Sequence, residues 1–217
     1  VLDLSTTPRP VLEWIGEEID LKYSGTYSGF IDLEASSQNN IIAKDFNLSP
    51  ITATDYAIIF AGSDDLGEGN FNEYGWHGSD DNVTYPISSA SALGSNDANL
   101  TLSDATDENV TVHYEKYYLV KSGYAVTRGA ELDKSVFDTN CGSGINASLS
   151  DFNNTLFLFY GFQPWKGETF CADSGGGTKA GKASVLLDEV KGFEAEYDGT
   201  VMSLKMEVQN PHPNDDT

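Results

Sequence analysis

A chain of 217 residues with 39% hydrophobic and 12% aromatic residues is long enough to bury a core and too apolar to remain disordered. Its 34 acidic residues against 12 basic ones leave a net charge of −22, which repels phosphate backbones and anionic bilayers and excludes nucleic-acid binding as the main activity. No run reaches the ~18 apolar residues of a membrane span, and no basic segment followed by an apolar one marks a leader. The same acidity serves solubility in a salty habitat, resistance to non-specific association, or scattered cation binding.

Taken in chain order, the first element predicted is a helix. Pro10 suits a first helical position, and Leu12, Ile15 and Ile19 recur at i, i+3 and i+7 with Val11 beside them. Glu13, Glu17, Glu18 and Asp20 fill the opposite face, and Ser24-Gly25 ends the pattern. The rest reads as short strands bounded by Gly, Asp, Asn or Ser: Gly29–Glu34, Tyr56–Ala61, Asn99–Leu102, Asn109–Lys121, Tyr124–Arg128, Thr155–Phe162, Ala183–Leu187, Gly192–Tyr197 and Val201–Val208. Lys121-Ser122-Gly123 and Asp198-Gly199 are the expected hairpin turns. In the last hairpin Phe193, Ala195 and Tyr197 share one face, and Met202, Leu204, Met206 and Val208 share a face on the return. These elements predict an α+β fold in one domain: an N-terminal amphipathic helical stem (1–24) packed on an antiparallel β-rich body with long loops (25–210), then a tail (211–217).

Chemistry-bearing residues are sparse. Cys141 and Cys171 stand in a Gly/Asn/Ser-rich segment; in an exported domain they would close a loop worth about 3–4 kcal/mol, and in the cytosol they would be idle thiols. Asn47, Asn82, Asn99, Asn109, Asn146 and Asn153 begin Asn-x-Ser/Thr sequons, the candidate glycosylation sites of an exported chain. Asp64, Asp65, Glu68 and Asn70 crowd hard oxygen donors among glycines, the donor type that calcium takes, without the spacing of an EF-hand loop. Ser79–Asn82 and Asp104–Asn109 are similar in composition, and in a chain this acidic all three segments read first as solvated acidic turns.

Nothing in the chain has the pattern of a catalytic centre. His77, His113 and His212 lie far apart, and 34 carboxylates make any one pair uninformative. Ser174–Lys179 lacks the spacing of a phosphate-binding loop. The aromatic loops Tyr74-Gly75-Trp76-His77 and Phe162-Gln163-Pro164-Trp165 would either plug the core or stack on a sugar or protein partner. The expectation is a non-enzymatic protein.

Four stretches, in order, carry a resemblance. They are the apolar/acidic run Val11–Asp20, the Gly-rich segment Ser24–Phe30, Val110–Tyr118 followed by Gly123–Arg128, and Leu186–Gly199 with the strand after it. Together they resemble the globular part of the minor pilins of type IV pili and the minor pseudopilins of type II secretion. The resemblance implies an extracellular or envelope-surface role in priming or capping a filament, with adhesion as a further role. It also implies other pilin or pseudopilin subunits as partners, and a membrane contact only through an apolar helix upstream of Val1. The segment 135–182, which holds both cysteines, is longer than that family pattern. Two other readings stay open from the residues alone. One is a filament subunit of the donor-strand kind, with Val1–Ser5 as donor. The other is a secreted carbohydrate-binding or carbohydrate-active β-domain.

Overall fold

The computed structural model describes residues 8–18, 27–37, 39–46, 52–60, 84–94, 96–103, 114–142, 145, 149, 151–171, 181–197 and 201–209. Their strands are β1 (Val11–Glu17), β2 (Gly29–Ile31), β3 (Asn40–Lys44), β4 (Ala57–Phe60), β5 (Thr84–Leu93), β6 (Asp97–Leu102), β7 (Lys116–Arg128), β8 (Leu156–Phe162), β9 (Lys182–Leu187), β10 (Val190–Tyr197) and β11 (Met202–Val208). The chain divides into two compact units. One contains Ile15–Ser122 and Gln163–Gly167; the other contains the described residues of Leu2–Trp14 together with Gly123–Phe162 and Glu168–Thr217. β1 and β7 contribute residues to both.

In the first unit the strand order closes on itself. β2 pairs with β3, β3 with β6, β6 with β5, β5 with β4 and β4 with β7, and β7 returns to β2 through Gly29↔Tyr117 and Phe30↔Lys116. Every pairing is antiparallel, and the stretch β3-β6-β5-β4 has Greek-key order. Closure gives each of these strands a neighbour on both sides over part of its length, and alternation turns every second side chain inward. Ile31, Ile41, Ala43, Ile58, Phe60, Tyr85, Ile87, Ala98, Leu100, Leu102, Tyr117 and Leu119 form that interior. β4 is buried on its outer side as well, where Ala57 and Ile59 meet Val120 and Trp165, so it reads in sequence as an unbroken apolar run.

The seam of the barrel depends on a glycine. A Cβ on Gly29 would lie 2.5 Å from the Tyr117 hydroxyl, so the tyrosine ring rests on bare backbone. Beside it, the Ser28 hydroxyl accepts the Leu119 N–H at 2.6 Å. Burial pushes the Tyr117 phenol well above its usual range, so it stays neutral. Gly29→Val is expected to destabilise the protein by about 1–3 kcal/mol through overpacking. Gly29→Ala combined with Tyr117→Phe should recover part of that, as read by urea denaturation.

In the second unit β7 pairs with β8 and β8 with β9, both antiparallel. β8 separates two cores. Leu156 and Leu158 join Leu12, Trp14, Val126, Val190, Phe193 and Ala195 on one face. Phe157 and Phe159 turn to the other face, where Phe137, Phe152 and Phe170 surround them with ring centroids 4.7–6.3 Å apart. A short helical segment, Lys134–Val136, continues into a π-type turn at Phe137–Cys141. Asp133 caps it by accepting the N–H groups of Ser135 and Val136. Cys141, at the end of that turn, is disulfide-bonded to Cys171.

The α+β expectation is corrected. The described residues are dominated by antiparallel strands, and the predicted stem from Pro10 is strand β1 over Val11–Glu17. Leu12 and Trp14 occupy one face of that strand and Ile15 the other, a period of two. The apolar spacing at 12 and 15 satisfies a helix on paper. Gly16 disfavours a helix, the branched Val11 and Ile15 and Trp14 favour extended backbone, and the edge of β7 that β1 pairs with supplies hydrogen bonds that a helix would make internally. Glu18 N–H donates to Leu119 O at 2.8 Å, and Thr127 Oγ1 donates to Pro10 O at 2.9 Å. Glu13, expected on a solvated helix face, is half-buried, and burial pushes its carboxyl above the usual range. Ile19, Asp20 and Ser24-Gly25 lie outside the described residues.

The turn expected at Lys121-Ser122-Gly123 is absent as well: β7 runs through it, and Gly123 sits at a bulge opposite Phe162. β3 and β5 had no counterpart among the predicted strands. The five residues of β3 and the Ser/Ala-rich β5 gain their structure from neighbours on both sides.

Candidate interaction surface

In the second unit the hairpin β10–β11 has an apolar face that is only half covered. A bulge between Val190 and Gly192 inserts Lys191, so Val190, Phe193 and Ala195 turn to the same side although their spacing is uneven. All three are buried. β10 is fastened at several points. Val190 N–H donates to Asn154 O at 2.7 Å, Arg128 Nη1 donates to Lys191 O, and Ala195 exchanges both backbone hydrogen bonds with Arg9, at 2.8 and 2.9 Å.

β11 lacks such anchorage. Among the described residues it pairs only with β10, and one further bond joins Gln209 N–H to Glu189 O at 2.8 Å. Register places Met206 opposite Phe193, Leu204 opposite Ala195 and Val208 opposite Val190, so these side chains share the face of the buried core. They are nevertheless exposed: Met202 by 41%, Leu204 by 58%, Met206 by 49% and Val208 by 48%. The other face is polar, with Ser203, Lys205 and Glu207 on β11. Lys205 reaches Glu194 at 3.3 Å, an exposed pair of small energetic weight.

The backbone direction of this edge follows from the Arg9 pairing. In a strand, a residue's N–H and C=O point to the same side, and that side alternates along the chain. Ala195 spends both on Arg9, away from β11, so Ala195–Leu204 is a non-hydrogen-bonded pair and Leu204 directs its own groups outward. Alternation gives the same outward direction to Met202, Met206 and Val208. An exposed apolar strand with a row of outward backbone donors and acceptors is a template for pairing with another strand.

The remaining sequence candidates are scattered. Asp64, Asp65, Glu68 and Asn70 lie outside the described residues, as do Ser79–Asn82, Asp104–Asn109, the three histidines, the Tyr74–His77 loop, Ser174–Lys179 and Val1–Ser5. Among the described residues no group of three or more His, Cys, Asp or Glu is placed to hold a metal. Of the sequons, Asn153 is exposed in a turn, whereas Asn99 sits in β6 with its Oδ1 buried and unpartnered. Asn47, Asn82, Asn109 and Asn146 fall outside the described residues. Trp165 is buried against the outer face of β4, with Nε1 unpartnered.

The apolar alternation of β11 was legible in the sequence, but no local pattern says which strand of a hairpin overhangs the core. No family model matches the chain, and neither a curated protein nor a solved structure is similar to it.

Proposed function

We propose that the protein is a non-enzymatic structural and interaction component of an extracellular or envelope-exposed assembly, joined to its neighbours by strand pairing. The observation that carries this reading is β11, an outer strand exposed along all seven residues, with an apolar row on the face it shares with the buried side of β10. The Cys141–Cys171 disulfide supports the extracellular part, because such bonds persist in oxidising compartments. The proposal keeps the assembly role that the resemblance to minor pilins implied and leaves out its helical stem, since Val11–Glu17 is a strand.

The test is made in the cells that produce the protein. Surface-shed and intracellular fractions are probed with an antibody to the folded chain, and the thiols are labelled. The wild type should appear in the surface fraction in assemblies larger than one chain, with both cysteines oxidised. Leu204→Glu should lose the assemblies yet stay folded, whereas Leu33→Glu, at an exposed leucine of the first unit, should keep them. An intracellular, thiol-reduced monomer would overturn the reading.

A further inference from the structure

Building on the reading of β11 as an assembly edge, we infer that its partner is β11 of a second copy of this chain. The two would pair antiparallel about a twofold axis at Met206. The segment Leu204-Lys205-Met206-Glu207-Val208 is complementary to itself when reversed about its centre. In that register Met206 faces Met206 of the other copy, Leu204 faces Val208, and Lys205 faces Glu207, twice over by symmetry. Apolar residues therefore meet on the face that continues the buried core, and opposite charges meet on the other.

Backbone geometry agrees with this centre. Leu204, Met206 and Val208 direct their N–H and C=O groups outward, as the Ala195–Arg9 bonds require. The pairs they form across the axis thus bring outward groups to outward groups. A register centred on Lys205 would satisfy the same parity, but it would set two lysines directly opposite each other, which is unfavourable. Charge selects Met206. On the polar face each Lys205 would lie between Glu194 of its own hairpin, 3.3 Å away, and Glu207 of the other copy, and Glu207 stands across from Gly192, which has no side chain to crowd it. Twofold pairing of one patch with itself closes after two copies. A charge of −22 on each chain opposes approach, so pairing should strengthen as salt rises to about 0.15 M, where the Debye length is about 8 Å.

Sedimentation of the purified chain should show a reversible dimer between micromolar and submillimolar concentrations. Lys205→Glu and Glu207→Lys should each weaken self-association about tenfold or more, because two attractive cross-pairs become repulsive. Each variant should keep the wild-type melting temperature to within a few degrees. An equimolar mixture of the two should dimerise again, since the new carboxylate of Lys205→Glu then meets the new ammonium of Glu207→Lys, and the second pair is the unchanged Glu207 of the first variant with the unchanged Lys205 of the second. Met206→Cys should cross-link two copies on oxidation, because a hydrogen-bonded pair separates Cα atoms by about 5.5 Å, within disulfide reach. A wild type that stays monomeric overturns the inference, and so does a mixture that fails to regain the dimer. If such a result came with Leu204→Glu still abolishing surface assemblies, the assembly role would stand with a different protein as the strand donor.

Discussion

Replacing Cys141 and Cys171 together by alanine is expected to lower the stability of the second unit by about 3–4 kcal/mol. The bond closes a loop with a sequence separation of 30, and the chain-entropy relation for that length gives this figure. The loop contains Phe152, Phe157 and Phe159, so cross-linking its ends restricts in the unfolded chain the segment that must assemble the aromatic core. Both sulfurs are buried, Cys141 by packing at the end of the π-type turn and Cys171 beside Phe170. Reductant added to the native protein should therefore act slowly, while reductant added with denaturant should act at once. Urea titrations of the oxidised, reduced and doubly substituted proteins check the size, and thiol labelling against time checks the protection. Equal midpoints for all three would refute the expectation.

Phe157→Ala should cost a similar amount, about 3–5 kcal/mol. Phe157 is fully buried, with ring centroids 4.7 Å from Phe137, 5.6 Å from Phe152 and 6.2 Å from Phe159, and its backbone is held between β7 and β9. The cavity cannot collapse readily, because Phe137 is itself fixed by Gly142. A Cβ there would lie 2.0 Å from the phenylalanine ring. Phe157→Leu should cost less than half as much, and Leu187→Ala, on the exposed edge strand β9, under about 1 kcal/mol. Because Phe137 lies in the turn that ends at Cys141, Phe157→Ala and loss of the disulfide should not add. A double-mutant cycle measured by denaturation reads that coupling.

How much of the fold was legible depends on where each strand finds its hydrogen bonds. β8, β10 and β11 announced themselves because alternation and nearby turn residues are local, and the final hairpin folds on its own neighbour. β4 showed as four apolar residues in a row because both its faces are covered. β1 was misread because its apolar residues fit periods of two and of 3.6 alike over seven positions. The deciding partner, β7, lies about a hundred residues away in the chain: Thr127 binds Pro10 across 117 residues at one end of β1, and Leu119 O accepts the Glu18 N–H at the other. β5 was missed for the same reason. Its Ser and Ala residues carry little signal, and its structure comes from β4 and β6.

For the candidate surface, the sequence alone supplied the alternation of Met202, Leu204, Met206 and Val208 with Lys205 and Glu207, since one residue's side follows from the next in extended backbone. It also supplied two cysteines suited to bond and a charge hostile to nucleic acid. Only the tertiary structure decided that Val11–Glu17 extends beside β7, that the barrel closes where Gly29 meets Tyr117, and that β10 is buried while β11 is left open. Each of these depends on a backbone edge or a packing surface supplied by distant residues, and the free energy of such pairing appears only once the chain has brought them together.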